Sequence, residues 1–188
     1  MYKNLLKEII SSNINFFFPI IPIIRNHMQW NNKFIYPKST RSILLGSRHY
    51  AVNQENLPSV TTILKATESE EKKAKLAEWK NRVGHKQAEA ISKEATSRGS
   101  SMHNYLEKFL RGKLNLELLG DNTREKMMAN QIIENGLLDK LNEIWGCEAT
   151  LYYPGKYAGS ADCIGIYENK ETIIDFKQSN KPKKDEWI

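Results

Sequence analysis

The stretch YAGSADCIGIYENKETIIDFKQ, residues 157–178, decides the fold of this 188-residue chain. Its apolar residues favour two strands, Tyr157–Tyr167 and Thr172–Gln178, on either side of the polar sequence ENK. A two-residue loop at Asn169 and Lys170 would join these strands as an antiparallel hairpin. Both strands carry charged residues among the apolar ones, and those charges need an explanation.

Three charged residues share one face of this predicted hairpin. The loop places Asp162 opposite Lys177, with Asp175 as a diagonal neighbour on the same face. Two carboxylates about 5 Å apart repel each other by about 3 kcal/mol at an effective dielectric constant near 20. A divalent cation would offset that repulsion, and Lys177 could then position a water molecule or stabilise developing charge. On spacing alone, an exposed, salt-bridged edge hairpin explains the three residues equally well.

Helical patterns occupy the middle of the chain. Ser59 is placed to cap a short helix, and Gly84 interrupts a longer pattern at residues 68–97. Gly99 is expected to separate this pattern from a second helix that ends near Arg111, with Gly112 as its stop. A third helix is predicted over residues 123–144, followed by a strand at residues 148–153 and a turn at residues 154–155.

Two motifs in this arrangement resemble a known family. The hairpin carries Gly159 and Asp162 as Gly-x-x-Asp and Asp175 and Lys177 as Asp-x-Lys, while RGSSMHNYLE, residues 98–107, lies on a helix upstream. These residues resemble the PD-(D/E)XK nuclease superfamily in its RecB-like exonuclease branch, the branch of the phage and mitochondrial genome maintenance exonucleases. The resemblance covers residues 31–188.

The resemblance implies an activity and a set of site residues. It implies a metal-dependent DNA exonuclease, acting on single strands with Mg²⁺ or Mn²⁺ in phage or genome replication and repair. His103, Asp162 and Asp175 would be metal ligands, the Phe176 carbonyl a further ligand, and Lys177 the catalytic assistant. A non-catalytic DNA-binding or assembly protein that retains the fold is the competing interpretation.

Two glutamates have weaker support. Glu107 lies one helical turn after His103, where it could orient the imidazole or simply face solvent. Glu148 matches a strand glutamate of the same branch. However, a two-residue loop at Pro154 and Gly155 would pair Asp162 with Cys147 and place Glu148 on the opposite face, so Glu148 ranks last.

The resemblance also predicts the architecture. It implies an α/β, restriction-endonuclease-like core in which helices precede a three-stranded mixed or antiparallel sheet. The final helix and strand of that core are expected to be missing after Ile188. One face of the sheet would then lack its cover.

Charge and cysteine content restrict the partners and cofactors that the sequence predicts. The net charge of +6 resides entirely in residues 1–54, so the rest of the chain is neutral and the predicted site must be judged on its own residues. The basic residues between Lys33 and Arg48 are predicted to guide DNA. Two cysteines are too few for a disulfide framework, a four-thiolate iron–sulfur cluster or a four-cysteine zinc site, and they favour a reducing, cytoplasmic setting.

The first 27 residues differ from the remainder. Their apolar run, Ile14–Ile24, has eleven residues including two prolines and is too short to span a bilayer. Translation is predicted to begin at Met28, with residues 1–27 a poorly ordered extension or a start-site artefact. Residues 28–188 are predicted to form a single, incomplete nuclease domain.

Overall fold

The computed structural model describes residues 28–113 and 123–178. The predictions about residues 1–27, and about the helix and strand expected to be missing after Ile188, lie outside these residues. None of the described helices is long and apolar enough to cross a membrane. In chain order the elements are β1 (Gln29–Trp30), β2 (Ser39–Leu44), β3 (Ser47–Val52), β4 (Glu55–Pro58), α1 (Val60–Ala66), α2 (Glu70–Val83), α3 (His85–Leu110), α4 (Arg124–Ile132), a π-helical turn (Ile133–Leu137), β5 (Leu141–Tyr153), β6 (Tyr157–Tyr167) and β7 (Lys170–Ile174).

The strands form two sheets. The larger sheet has the order β1-β5-β6-β7, with β1 parallel to β5 and the other pairs antiparallel. The smaller sheet is the antiparallel meander β2-β3-β4. The mixed α/β class is confirmed and is compatible with an α/β nuclease fold. The expected three-stranded sheet is wrong in its strand number, because the short strand β1 extends it, and the second sheet was not predicted.

The two sheets meet at Ser59. Its hydroxyl accepts a hydrogen bond from the Thr62 amide at 3.0 Å, which confirms the predicted N-cap of α1. Its own amide donates to the Arg48 carbonyl, and its backbone forms an isolated parallel bridge with Ala158 of β6. These contacts fix the smaller sheet beside the carboxyl end of β5 and the start of β6.

Glycine predicts the helix boundaries correctly at two of three positions. Gly84 (φ +85°) separates α2 from α3, and Gly112 (φ +65°) follows the end of α3. The predicted break at Gly99 is wrong, because α3 continues through it. A Cβ at Gly99 would lie 3.2 Å from Nε2 of Gln178, so the glycine admits the chain that follows β7.

The third helix is shorter than predicted. It ends at Ile132, and the π-helical turn Ile133–Leu137 follows it. Residues 141–144 belong to β5 instead. Leu141 and Ile144 are fully buried in the main core. Burial on the sheet therefore overrides a helical pattern that a short apolar run could not distinguish from a strand.

The main core lies between the larger sheet and helices α3 and α4. It contains the apolar stripe of α3, formed by Met102, Tyr105, Leu106, Phe109 and Leu110. Cys147 and Cys163 lie in the same core, and Tyr167, Ile174 and Phe176 also join it. Burial raises the pKa of both thiols to about 12, so neither cysteine is a thiolate at neutral pH. Both cysteines are buried residues of the apolar core.

An aromatic segment before β2 covers part of the opposite face. The rings of Phe34 and Trp145 meet edge to face with centroids 5.7 Å apart, and Lys33 Nζ lies 3.8 Å from the centre of the Trp145 ring. Tyr36 packs against the same cluster. The expectation of an uncovered face is therefore wrong for this region, although Ile173 remains 64% exposed.

Candidate metal centre

The turn between β5 and β6 contains one residue more than predicted. Tyr153 pairs with Tyr157, so the loop is Pro154–Lys156. The extra residue shifts the register by one and places Glu148 opposite Asp162. The prediction that Glu148 lies on the opposite face is wrong, because a one-residue shift moves every side chain of a strand to the other face.

The side-chain alternation also changes at this rung. Cys147 and Cys163 lie in the main core, whereas Ala149 and Ala161 lie in the cluster on the other face of the sheet. In an uninterrupted strand Cys147 and Ala149 would share a face. Glu148 has φ +50°, a left-handed conformation that costs a non-glycine residue about 1–3 kcal/mol. Such strain is concentrated at functional sites.

Where this distorted part of β5 and β6 contacts α3, three potential metal ligands lie close together. One ligand atom each from His103, Glu148 and Asp162 lies within 4.8 Å of the others. Nδ1 of His103 is 3.5 Å from Oδ1 of Asp162, and the Asp162 side chain is only 12% exposed. Glu148 is exposed, and its Oε2 accepts a hydrogen bond of 2.8 Å from the Ser160 hydroxyl.

Hydrogen bonds set the charge state of His103 and Asp162. The contact with Asp162 raises the pKa of His103 above its usual value, assisted by the Phe176 carbonyl and opposed by burial and Lys177. Burial alone would raise the pKa of Asp162. However, His103 and the Phe176 amide, which donates to Oδ2 at 2.6 Å, lower it on balance. Asp162 is thus ionised at neutral pH and oriented through both oxygens.

The donor set fits a hard divalent cation. Two ligands at about 2.1 Å from one ion lie at most about 4.2 Å apart, so the observed separation requires only small side-chain adjustments. Two carboxylates with one imidazole suit Mg²⁺ or Mn²⁺. Structural zinc sites use thiolate-rich donor sets instead. His103 must lose its proton to act as a ligand, because an imidazolium has no free lone pair.

Asp175 and Lys177 lie beside this group. The β6–β7 turn is Glu168–Asn169, since Tyr167 pairs with Lys170, and the predicted loop at Asn169 and Lys170 is wrong by one residue. Continuing the observed register places Asp175 opposite Asp162. Oδ1 of Asp175 accepts a hydrogen bond of 2.6 Å from Lys177 Nζ.

The four charged residues Asp162, Asp175, Lys177 and Glu148 line one cleft of about 760 Å³, together with His103. Strand β7 ends at Ile174, so the predicted strand to Gln178 is too long. The metal-ligand role predicted for Asp175 stays a prediction, because the close group contains Glu148 in its place.

Side chains that the sequence did not single out hold the site to α3. Gln178 donates to the Ala95 carbonyl and accepts from Arg98 Nε at 2.9 Å. These bonds fix the chain just after Lys177. Gln178 lies close to Gly99 and contacts Arg98. A glycine beside an arginine within the helix was the sequence signal that could have indicated this contact.

Among the described residues, Glu107 makes no hydrogen bond to His103. Its Oε1 accepts from Arg111 Nε at 2.8 Å, and Nη2 of Arg111 donates to the Cys147 carbonyl at 2.8 Å. Arg111 thereby connects α3 to the residue before Glu148. Glu107 lines the cleft and is linked to β5 through Arg111, while its predicted alternatives, orienting His103 or facing solvent, stay predictions.

The opposite wall of the cleft is basic. Arg41 and Arg48 of the β2–β3 hairpin line it with Tyr50 and the start of α1. No ion pair among the described residues includes either arginine. Lys33 instead pairs with Glu171 on another face, so only part of the predicted basic strip faces the site.

These observations define the chain as an α/β protein with a carboxylate-rich cleft. The chain is 30% identical over 137 residues to mitochondrial genome maintenance exonuclease 1 of Mus musculus, covering 70% of this chain and 40% of that protein. It is 29% identical over 134 residues to the protein of the same name from Homo sapiens, covering 68% and 38%. A third, from Xenopus tropicalis, is 30% identical over 149 residues, covering 75% and 41%.

The match with these relatives covers only part of each of them. The chain spans about two fifths of the length of the curated relatives that it matches. No family model matches it. The similarity is to proteins named exonucleases, and an activity of this chain has to be argued from its own site residues.

Proposed function

We propose that this chain is a metal-dependent nuclease that hydrolyses phosphodiester bonds in DNA with Mg²⁺ or Mn²⁺. The proximity of His103, Glu148 and Asp162 is the observation that carries the proposal. Similarity to proteins named exonucleases supports it. Action from an end of a single strand and a role in genome replication or repair follow from the resemblance alone, and a cytoplasmic setting is proposed from the low cysteine content.

Each site residue has a proposed role. His103, Glu148 and Asp162 hold the cation, with Asp175 and the Phe176 carbonyl as further donors. The cation supplies, when bound, polarisation of a phosphoryl oxygen and a more acidic bound water. Ser160 orients Glu148, and the Phe176 amide orients Asp162. Their preorganisation reduces the entropy cost of forming the site.

Lys177 and the arginines act on the substrate. Asp175 holds the Lys177 ammonium at the cleft, where it stabilises charge that develops on the phosphate or positions the attacking water. Arg41 and Arg48 bind neighbouring phosphates from the opposite wall, since guanidinium groups match phosphate oxygens in two-point hydrogen bonds.

Replacement of Lys177 tests this assignment. We expect Lys177→Ala to lower the rate of Mn²⁺-dependent cleavage of end-labelled DNA about a hundredfold, as expected for loss of a preorganised donor. Lys170→Ala, an exposed lysine at the far end of β7, is the matched control and should cleave at the wild-type rate. Equal rates for the two variants would refute the role of Lys177.

A chelator distinguishes the competing DNA-binding interpretation. Cleavage should stop in EDTA and return when Mn²⁺ is added in excess. Salt-dependent DNA binding that is insensitive to EDTA, without cleavage at any Mn²⁺ concentration, would favour a non-catalytic protein.

A further inference from the structure

A second groove adjoins the cleft around the edge of β6. It has a volume of about 410 Å³ and shares Val60, Gly159, Ser160, Asp162 and Asp175 with the cleft. The two spaces therefore meet at the proposed metal centre. We call this second space the aromatic groove.

The aromatic groove exposes large apolar side chains. Leu151 is 38% exposed, Tyr157 41%, Tyr153 52% and Ile173 64%. Its only charged lining residues are Asp162 and Asp175, which belong to the centre. A contiguous apolar surface beside a polar site is typical of ligand-binding grooves.

The tyrosines form one continuous surface. Tyr153 and Tyr157 pair across the last rung of β5 and β6, with ring centroids 6.0 Å apart and planes inclined by 34°. Nζ of Lys156 lies 4.7 Å from the centre of the Tyr153 ring. Aromatic faces with a nearby cation match the needs of an unpaired nucleotide, which offers a flat base and a phosphate.

We propose that the aromatic groove binds a nucleobase of an unpaired DNA strand, next to the phosphate at the metal centre. This inference rests on the proposed function, since it assumes that DNA enters the cleft. Arg41 and Arg48 lie on the wall of the cleft, whereas the tyrosines lie around the sheet edge, so phosphates and bases have separate surfaces. A duplex buries its base faces by stacking and cannot offer one to the groove.

Abasic oligonucleotides provide the test. The affinity of the full chain for a fluorescent oligothymidylate is measured by anisotropy in Ca²⁺, with wild type and with Tyr153→Ala combined with Tyr157→Ala. The same measurement is repeated on oligonucleotides that lack one base at successive positions. The double change to Phe keeps both rings, and Ile35→Ala, at a residue 99% exposed outside both grooves, is a surface control.

The proposal predicts coupling between ring and base. The double alanine variant should bind the intact oligonucleotide about tenfold more weakly, while the Phe variant and the Ile35 variant bind as wild type. At one abasic position the wild type should show the same loss, and the alanine variant no additional loss. Equal weakening on intact and every abasic oligonucleotide, or no weakening, would overturn the groove assignment.

Failure of this proposal is distinct from failure of the proposed function. Mn²⁺-dependent cleavage without ring–base coupling would contradict the groove and leave the nuclease assignment supported. Ring–base coupling without cleavage in Mn²⁺ would support the groove and contradict the nuclease. Absence of any DNA binding would overturn both.

Discussion

Asp162→Asn is expected to abolish metal-dependent DNA cleavage while leaving the protein folded. The change removes an ionised ligand from the centre but keeps an oxygen that can accept from the Phe176 amide. Loss of about 4 kcal/mol of transition-state stabilisation corresponds to about a thousandfold lower rate. Initial rates on end-labelled DNA at saturating Mn²⁺ measure this loss.

The control for this variant is another aspartate. Asp139 is exposed and has φ +63°, a conformation that asparagine tolerates well, so Asp139→Asn should retain wild-type activity. Both variants should unfold with wild-type cooperativity. An Asp162→Asn variant that cleaves within threefold of Asp139→Asn would show that this carboxylate is not part of the catalytic centre.

Gly165→Ala is expected to cause the largest loss of stability. Gly165 pairs with Ile144 of β5 and Thr172 of β7, and a Cβ there would lie 1.9 Å from the Glu143 carbonyl oxygen. The clash is with backbone at a register shift in the sheet, so no rotamer change relieves it. We expect a decrease of at least about 3 kcal/mol in the free energy of unfolding, the upper end of overpacking effects.

Urea denaturation followed by circular dichroism measures this decrease. Gly136→Ala is the matched control, because a Cβ at Gly136 meets nothing within 4 Å and its φ is not positive. The control should match or exceed wild-type stability, since alanine favours helical backbone. Equal midpoints for the two variants would contradict the packing described for β5 and β6.

The sequence predicts the hairpin and the histidine helix well because their signals are local. The apolar residues of β6, the cap at Ser59 and the stop at Gly112 are signals that each depend on a few adjacent residues. The α3 stripe that includes Met102 and Leu106 is buried as its spacing predicts. These features can be recognised from neighbouring residues alone.

The register could not be predicted from the same residues. Asn169 suits a positive φ, but a two-residue turn needs a second such residue, and neither Glu168 nor Lys170 is favoured over the other. The chain uses Glu168 (φ +47°) with Asn169 (φ +63°). At the other turn Lys156 is the additional residue, and nothing in PGK distinguishes a two-residue loop from a three-residue loop. That single residue decides whether Glu148 reaches the metal centre.

Long-range packing explains the remaining errors. Gly99 stays helical because Gln178 approaches it from a segment almost 80 residues later. Arg41 and Arg48 reach the cleft because the smaller sheet is fixed against β6, by the bridge from Ser59 to Ala158 and by the apolar cluster that Ala158 forms with Tyr50, Val52 and Leu57. The sequence indicates a basic strip and a glycine beside Arg98 in α3, but the position of the arginines at the cleft and the support behind Lys177 emerge only from the tertiary structure.

Mn²⁺ binding by isothermal titration calorimetry tests the central claim most directly. Wild-type protein should bind Mn²⁺, and Glu148→Gln should weaken that binding at least about tenfold, because it replaces a charged ligand while keeping the acceptor for Ser160. Glu168→Gln, an exposed glutamate in the β6–β7 turn, should bind as wild type. The same affinity for Glu148→Gln and Glu168→Gln would contradict a metal centre formed by His103, Glu148 and Asp162.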